Sequence, residues 1–159
     1  MNDFFAAIVA LAVVFFAASF GARFKPDAWY RNIAKPSWNP PDKVFAPVWI
    51  VLYLCMAAAA WLVWKQSGFA GASFALAIFV VQLVLNGAWS WLFFGRHSVG
   101  AALVDILLLW MAIAATIGAF WAHAALAGAL LLPYLAWVTF AVALNATIWQ
   151  LNRARLATP

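Results

Sequence analysis

The chain has 159 residues, of which 69% are hydrophobic and only 8% are charged, and its mean hydropathy is +0.99. Soluble domains carry roughly a quarter charged residues, so this composition excludes an ordinary soluble domain and predicts an integral membrane protein. We attribute the formal net charge of +5 to membrane topology and expect no nucleic-acid partner. The single cysteine, Cys55, lies in an apolar run and provides no disulfide framework.

Five stretches are long enough to cross a bilayer, which takes about 20 mostly apolar residues. They cover about residues 3–23, 44–64, 72–94, 99–121 and 126–151. The first begins with Asp3 rather than with lysine or arginine, and its apolar run exceeds a signal-peptide core, so we interpret it as a retained span. The prediction is an all-α integral membrane protein, a single domain over residues 1–159 that forms a five-transmembrane-helix bundle with a long structured first loop.

Basic residues are concentrated on one side of the predicted bundle. The first loop, the third loop and the C-terminal tail contain every lysine and arginine except Lys65. By the positive-inside rule, a protein in an inner membrane would have the first loop and the C-terminus in the cytoplasm and the N-terminus outside.

The first loop, which joins the first two spans and is predicted at about residues 24–43, combines prolines with aromatic residues. Its prolines are Pro26, Pro36, Pro40 and Pro41. Because proline fixes φ and lacks an N–H donor, the loop cannot be one continuous helix. It also carries Trp29, Tyr30 and Trp38. It is either a lid over a pocket or an anchor with its rings at headgroup level.

Polar residues inside the predicted spans are few, so each needs a reason. Side chains three and four residues apart share one face of a helix, and three such faces combine polar with aromatic side chains. These faces are Trp49, Tyr53 and Met56 in the second span, Gln82, Asn86, Trp89 and Phe93 in the third, and Trp137, Ala141, Leu144, Asn145 and Ile148 in the fifth.

At about 1.5 Å per residue, most of these side chains lie in the membrane half next to the first loop, with Trp137 near the middle. The opposite half is mostly alanine, leucine and valine. We therefore predict a ligand pocket under the first loop. Its predicted lining is Tyr30, Trp38, Trp49, Tyr53, Asn86, Trp89, Phe93, Trp137, Ala141 and Asn145.

Several of these polar and aromatic residues also have purely structural interpretations. Asn145 equally suits a hydrogen bond between helices. Asp105, in the fourth span, is interpreted as a structural group bonded to a neighbouring helix, because a bare carboxylate there would tend to protonate. The tryptophans near span ends are typical of an interfacial belt. They are Trp61, Trp64, Trp121 and Trp149.

An aromatic, mostly apolar pocket suits a large, flat, hydrophobic ligand. A cationic rim from the first loop would suit a ligand with carboxylates. A porphyrin with propionates, such as protoporphyrin or haem, has both properties. We predict no metal site, because among the histidines only His97 lies on the pocket side, and we expect no required cofactor.

Several sequence motifs resemble the TspO/translocator protein family of tryptophan-rich sensory proteins, which includes the peripheral benzodiazepine receptor. They are Lys35-Pro36-Ser37-Trp38-Asn39-Pro40-Pro41, Phe45-Ala46-Pro47-Val48-Trp49 with Leu52-Tyr53, Gln82-Leu83 with Leu85-Asn86 and Trp89-Ser90, Ala102-Leu103-Val104-Asp105, and Pro133-Tyr134-Leu135-Ala136-Trp137 with Leu144-Asn145. The resemblance covers the first loop and four of the five spans.

The resemblance implies a five-helix bundle, commonly a homodimer, that binds porphyrins and, in animal members, cholesterol and benzodiazepine-type drugs. By motif position, Tyr30, Trp49, Asn86, Trp89, Trp137 and Ala141 correspond to pocket residues of the family. Trp49 and Trp137 match the pair implicated in light-dependent porphyrin breakdown in bacterial members. The animal cholesterol motif is incomplete, because no tyrosine lies between Leu144 and Arg153; lipid or sterol binding stays open.

Three functions remain open at this point. The favoured one is a membrane receptor or regulator that binds porphyrins and similar flat hydrophobic ligands; whether it also moves them across or within the membrane stays open. The second is an enzyme that degrades porphyrin in the light through Trp49 and Trp137. The third is a membrane scaffold that acts through protein partners.

Overall fold

The computed structural model of the protein describes residues 3–156, so the ends of the predicted 1–159 domain lie outside the described residues. Its helices are α1 (Asp3–Gly21), α2 (Ala28–Asn32), α3 (Asp42–Gly71), α4 (Ser73–Ser90), α5 (Val99–His123), α6 (Ala125–Leu130) and α7 (Leu132–Leu156), and a π-helical turn (Trp91–Gly95) continues α4. Five of these segments are long and apolar enough to cross a membrane. The predicted all-α, five-span class is confirmed.

The second span is longer than predicted, because α3 continues past residue 64 to Gly71. Its direction changes at Gly68, where φ is 66° and ψ is 172°. This left-handed conformation is open to glycine at little steric cost. The connection that the sequence predicted between the spans 44–64 and 72–94 is therefore largely helical, with a break at Gly68.

The fifth span consists of two helices, α6 and α7, that meet at Leu131. Pro133 is the second residue of α7. Because proline lacks an N–H donor, it is tolerated in the first turn of a helix, where no donor is needed, and disrupts a helix interior. The sequence prediction of one uninterrupted span over about residues 126–151 missed this break.

The spans form a closed ring, and the order of the spans around this ring differs from their order in the sequence. The α1 helix packs on α3 and α4, α4 packs on α5, and α5 packs on α7. The ring closes because α6 packs against α3 and α5. Close packing of α6 depends on Gly128, where an added Cβ would lie 2.5 Å from the Trp121 ring.

Two apolar clusters fill the bundle. The larger cluster runs along the middle of the spans and includes Met56, Phe79, Ile113 and Tyr134. The smaller cluster lies directly beneath the first loop. Its buried members are Tyr30, Phe93, Val99, Ala102, Leu144 and Ile148. The first loop, residues 22–41 in the structure, thus contributes Tyr30 to the protein core; we call its side of the bundle the loop side.

Candidate ligand-binding site

An open apolar groove of about 670 Å³ runs between α3 and α7. This volume lies within the range of small-molecule pockets. The groove is lined by Pro47, Val48, Val51 and Leu52 of α3 and by Pro133, Ala136, Trp137 and Phe140 of α7. At the end of the bundle away from the first loop, α6 packs against α3 and closes the ring. Nearer the loop, the groove separates α3 from α7, so the seam between these two helices is open there. The walls offer apolar contact and aromatic faces.

A row of aromatic rings connects the groove to the first loop. The Phe45 and Trp137 rings lie 5.8 Å apart between centroids, and the Trp137 and Phe140 rings 5.7 Å apart. The Trp38 ring lies edge-on to Phe140 at 5.7 Å. Trp38 is 46% exposed, so the loop places an accessible indole at the border of the groove.

A buried hydrogen-bond network lies behind the groove. The Tyr53 hydroxyl donates to Asn86 Oδ1 at 2.8 Å, and Asn86 Nδ2 donates to the Tyr134 hydroxyl oxygen at 3.1 Å. The Tyr134 hydroxyl in turn donates to Gln82 Oε1 at 3.0 Å. Trp49 lies against this network, with its ring 5.3 Å from Tyr53 and 6.1 Å from Tyr134. The network joins α3, α4 and α7, and two of its tyrosine rings pack against Trp49.

Asn145 is engaged in a second interhelical connection. Its Oδ1 accepts from Trp89 Nε1 at 3.0 Å, and its Nδ2 donates to the Val99 carbonyl at 3.0 Å. Trp89 stacks on Phe93, and Phe93 contacts the edge of the Tyr30 ring. Asn145 is 1% exposed, so its polar atoms serve contacts between helices, the structural alternative that the sequence left open.

The first loop is tied to the turn between α4 and α5. Asp27 Oδ1 accepts from the Tyr30 backbone N–H at 3.0 Å and thereby caps α2, while its Oδ2 lies 3.0 Å from His97 Nε2. The hydrogen bond from Tyr30 and the nearby His97 hold the pKa of Asp27 below its usual value. The Trp29 ring stacks on the His97 imidazole with centroids 4.3 Å apart.

The first loop is tied to α7 as well. Asn152 Oδ1 accepts from the Ala34 N–H at 3.0 Å, and Asn152 Nδ2 donates to the Ala34 carbonyl at 2.8 Å. Lys35 Nζ donates to the carbonyls of Tyr30, Arg31 and Ile33 and lies over the Tyr30 ring. The lysine ammonium therefore caps α2 and is occupied by the protein itself. Burial raises the pKa of the Tyr30 hydroxyl, which stays neutral and donates to Asn39.

Comparison with known proteins identifies the family of this chain. The TspO/MBR family profile matches residues 6–150, which include every residue that lines the groove. The chain belongs to the TspO/MBR family. It is 46% identical over 147 residues to the tryptophan-rich protein TspO of Chlorobaculum tepidum, covering 89% of this chain and 90% of that one.

Relatives of this TspO/MBR chain are found in distant organisms. It is 46% identical over 126 residues to the human translocator protein, covering 78% of this chain and 75% of the human one. It is 39% identical over 140 residues to protein CrtK of Rhodobacter capsulatus, covering 86% of each chain. As in the rest of the family, this is a multi-pass membrane protein.

The structure distributes the predicted site residues of this TspO/MBR chain over three neighbouring groups. Trp38 and Trp137 border or line the groove. Trp49, Tyr53 and Asn86 belong to the network behind it. The remaining group lies in or next to the cluster under the first loop: Tyr30, Trp89, Phe93 and Asn145. Ala141 is partly buried on α7 against the main core. Ligand contact by each residue stays a prediction.

Sequence reasoning missed the apolar part of the groove and the ties of the first loop. Phe140 follows Trp137 by three residues, so helical spacing could have found it. Val51 and Ala136 carry no signal, because apolar residues line every surface of such a bundle. Asn152 could have been recognised as a polar residue in the last turns of a span, but its backbone partner has no side-chain signal.

The described residues contain no group of three or more histidine, cysteine or acidic side chains that could hold a metal. Asp105 differs from its expected role. It is buried on α5, and its Oδ2 has no hydrogen-bond partner among the described residues, so the expected bond to a neighbouring helix is not seen. Gln82 Nε2 is likewise buried without a partner there.

Proposed function

We propose that the protein is a membrane receptor or regulator that binds porphyrins and similar flat hydrophobic ligands in the groove between α3 and α7. The observation that carries this proposal is the groove itself, about 670 Å³ in volume and walled by aliphatic side chains, Trp137 and Phe140. A tetrapyrrole ring would gain hydrophobic burial against the aliphatic wall and stacking against the indole.

The charge around the loop-side end of the groove favours a ligand with carboxylates. Lys25, Arg31 and Lys43 are exposed on this side, and none forms a salt bridge with a described acidic side chain. They are available to propionates, whereas Lys35 is occupied by the α2 carbonyls. A porphyrin would then lie with its ring in the groove and its carboxylates at headgroup level.

A titration of the purified protein in lipid nanodiscs with protoporphyrin, performed in the dark, tests this function. Saturable quenching of tryptophan fluorescence at one site per chain is expected. Quenching that rises linearly with porphyrin, as in empty nanodiscs, would reject the receptor and leave a scaffold that acts through protein partners. Because relatives are named translocator proteins, the same preparation in sealed vesicles should then be assayed for porphyrin movement.

A light-dependent porphyrin-degrading activity is the second candidate, favoured by the surroundings of the two deep tryptophans. Trp137 lines the groove, while Trp49 contacts Tyr134, three residues before Trp137 on α7. A photoexcited porphyrin in the groove could take an electron from an indole and return it once dioxygen has added to the ring, so that both oxygen atoms enter the opened tetrapyrrole and dioxygen is the net oxidant. The same titration under illumination tests this, because a receptor leaves the porphyrin spectrum unchanged.

The charge distribution also supports an orientation. We propose that the loop side faces the cytoplasm, since Lys65 is the one lysine or arginine outside that side. In a Cys55→Ala background, single cysteines at exposed Ser37 and Gln66, probed with a membrane-impermeant maleimide in intact cells, should react only at position 66. Labelling of position 37 alone would reverse the topology.

A further inference from the structure

The seam between α3 and α7 and the first loop are the two boundaries that a ligand could cross to reach the groove. We propose that ligands enter and leave sideways from the bilayer, through the seam between α3 and α7, while the first loop stays closed. This inference rests on the proposed function, because it describes how a porphyrin reaches that groove.

The first loop is held by side chains from two different parts of the bundle. Asp27 pairs with His97 at the turn before α5, and Ala34 is bound through both its N–H and its carbonyl by Asn152 of α7. Between these two points Tyr30 is 5% exposed and packs among Phe93 and Phe94. Lifting residues 27–34 would break all of these contacts together.

The contacts that cross the loop-side part of the seam are of a weaker kind and include the ring pairs Phe45–Trp137 and Trp49–Tyr134. The residues at its mouth are exposed to the lipid: Val51 is 58% exposed, and Pro47, Pro133 and Ala136 are also exposed. Among the described residues, no hydrogen bond joins residues 47–52 to residues 133–140. A ring dissolved in the bilayer can therefore reach Trp137 without breaking a polar contact.

This geometry also restricts the class of ligand. A molecule that arrives through the seam must first partition into the bilayer, so it must be an amphiphile whose flat apolar part lies at acyl-chain depth. Its charged groups stay near the headgroups, next to Lys43 at the start of α3. The association rate of porphyrin should therefore differ between porphyrin added in water and porphyrin already dissolved in the membrane.

The two routes can be separated with reversible crosslinks. In a Cys55→Ala background, Val51→Cys with Ala136→Cys places one thiol on each side of the seam. Ala28→Cys with Ser98→Cys places one thiol on each side of the loop tie and keeps the Asp27–His97 contact itself. A flexible bis-methanethiosulfonate linker joins either pair, and dithiothreitol releases it. Protoporphyrin is delivered from preloaded vesicles, and association and release are followed by tryptophan quenching in stopped flow.

Linking the seam should slow both association and release by about tenfold or more, with recovery after reduction, whereas linking the loop should leave both rates unchanged. The same variants treated with a monofunctional methanethiosulfonate control for the added volume. Slow exchange with the linked loop and normal exchange with the linked seam would overturn the route. If the unlinked protein binds no protoporphyrin at equilibrium, the proposed function itself fails, which is a different result.

Discussion

The side chain of Asn152, in the last turns of α7, is bound to both polar backbone groups of Ala34, in the first loop. One amide side chain thus accepts from the Ala34 N–H at 3.0 Å and donates to the Ala34 carbonyl at 2.8 Å, across 118 residues of sequence. Its Nδ2 also donates to the Ile148 carbonyl of its own helix. The position of the first loop over the bundle therefore depends directly on the fifth span.

The first prediction concerns this tie. Replacing Asn152 with alanine leaves the Ala34 N–H and carbonyl without their partner, so docking of the first loop should weaken by about 1–3 kcal/mol. That corresponds to about a 5- to 150-fold change in the docking equilibrium. The measurement is hydrogen exchange of the Ala34 amide in nanodiscs. Thr147→Ala is the control, since the Thr147 hydroxyl bonds only to the Ala143 carbonyl of its own helix; equal exchange in both variants would contradict the prediction.

The second prediction concerns the groove wall. Trp137→Ala removes the indole that lies between Phe45 and Phe140, so protoporphyrin affinity should drop by on the order of 1–3 kcal/mol, as for loss of an aromatic stacking partner. Fluorescence titration in the dark measures this. Trp61→Ala is the matched control, because Trp61 lies at the opposite end of α3, where its Nε1 bonds to the Asp3 carbonyl. Unaltered affinity in a well-folded Trp137→Ala protein would place the ligand elsewhere.

The third prediction concerns pH. The pKa of Asp27 is lowered in the folded protein, so its contribution to loop docking is fully present above the ordinary aspartate pKa of about 4 and is lost as pH falls through the lowered value. A spin label at Ala28→Cys, in a Cys55→Ala background, should therefore stay immobile down to about pH 5 and become mobile in stronger acid.

Asp27→Asn provides the control for the pH experiment. Asparagine still caps a helix but cannot ionise, so the label should show no acid-dependent step. If the step persists in that variant, it comes from a group other than Asp27.

The fourth prediction separates two kinds of cation in the first loop. Arg31→Gln should weaken binding of protoporphyrin by about 0.2–1 kcal/mol, as expected for an exposed charge pair, and should not affect the dimethyl ester. The difference should vanish at high salt. Lys35→Met should instead loosen α2, because the Lys35 ammonium caps its carbonyls, and should affect acid and ester alike. Equal binding of acid and ester by the parent protein would show that the rim contacts no propionate.

The fifth prediction tests the photochemical alternative. Trp49→Phe and Trp137→Phe keep an aromatic face but remove the easily oxidised indole. If the protein degrades porphyrin, both variants should bind it in the dark nearly as the parent does and lose its conversion in the light. The absorption spectrum during illumination, with and without oxygen, is the measurement. Conversion at the parent rate in both variants would eliminate a chemical role for these tryptophans.

The sequence predicted the spans well because bilayer thickness and hydropathy determine them almost independently of packing. It also predicted that polar and aromatic side chains gather near the first loop, and Tyr53 with Asn86 and Trp89 with Asn145 are indeed bonded pairs. Helical periodicity gives the face of each helix. It does not give the rotation of one helix relative to another.

Because the sequence does not give the rotation of one helix relative to another, the residues predicted to line one pocket lie in separate groups in the structure. Trp49 and Trp137 belong to the same predicted lining but have different neighbours: Trp49 contacts Tyr53 and Tyr134, while Trp137 contacts Phe45 and Phe140. The break at Leu131 has a similar cause. Pro133 was visible in the sequence, but only the packing of α6 on α3 and α5 shows that the span bends there.

The order in which the spans pack around the ring has a consequence for biosynthesis. Since the ring closes between the second and the last span, a nascent chain with four inserted helices has no groove and no anchor for Ala34. Ligand binding can begin only after the ribosome has released the final span and its two helices have docked, α6 on α3 and α7 on α5. A chain that stalls before α6 would leave its second helix uncovered along one side, which makes it a recognisable substrate for membrane quality control.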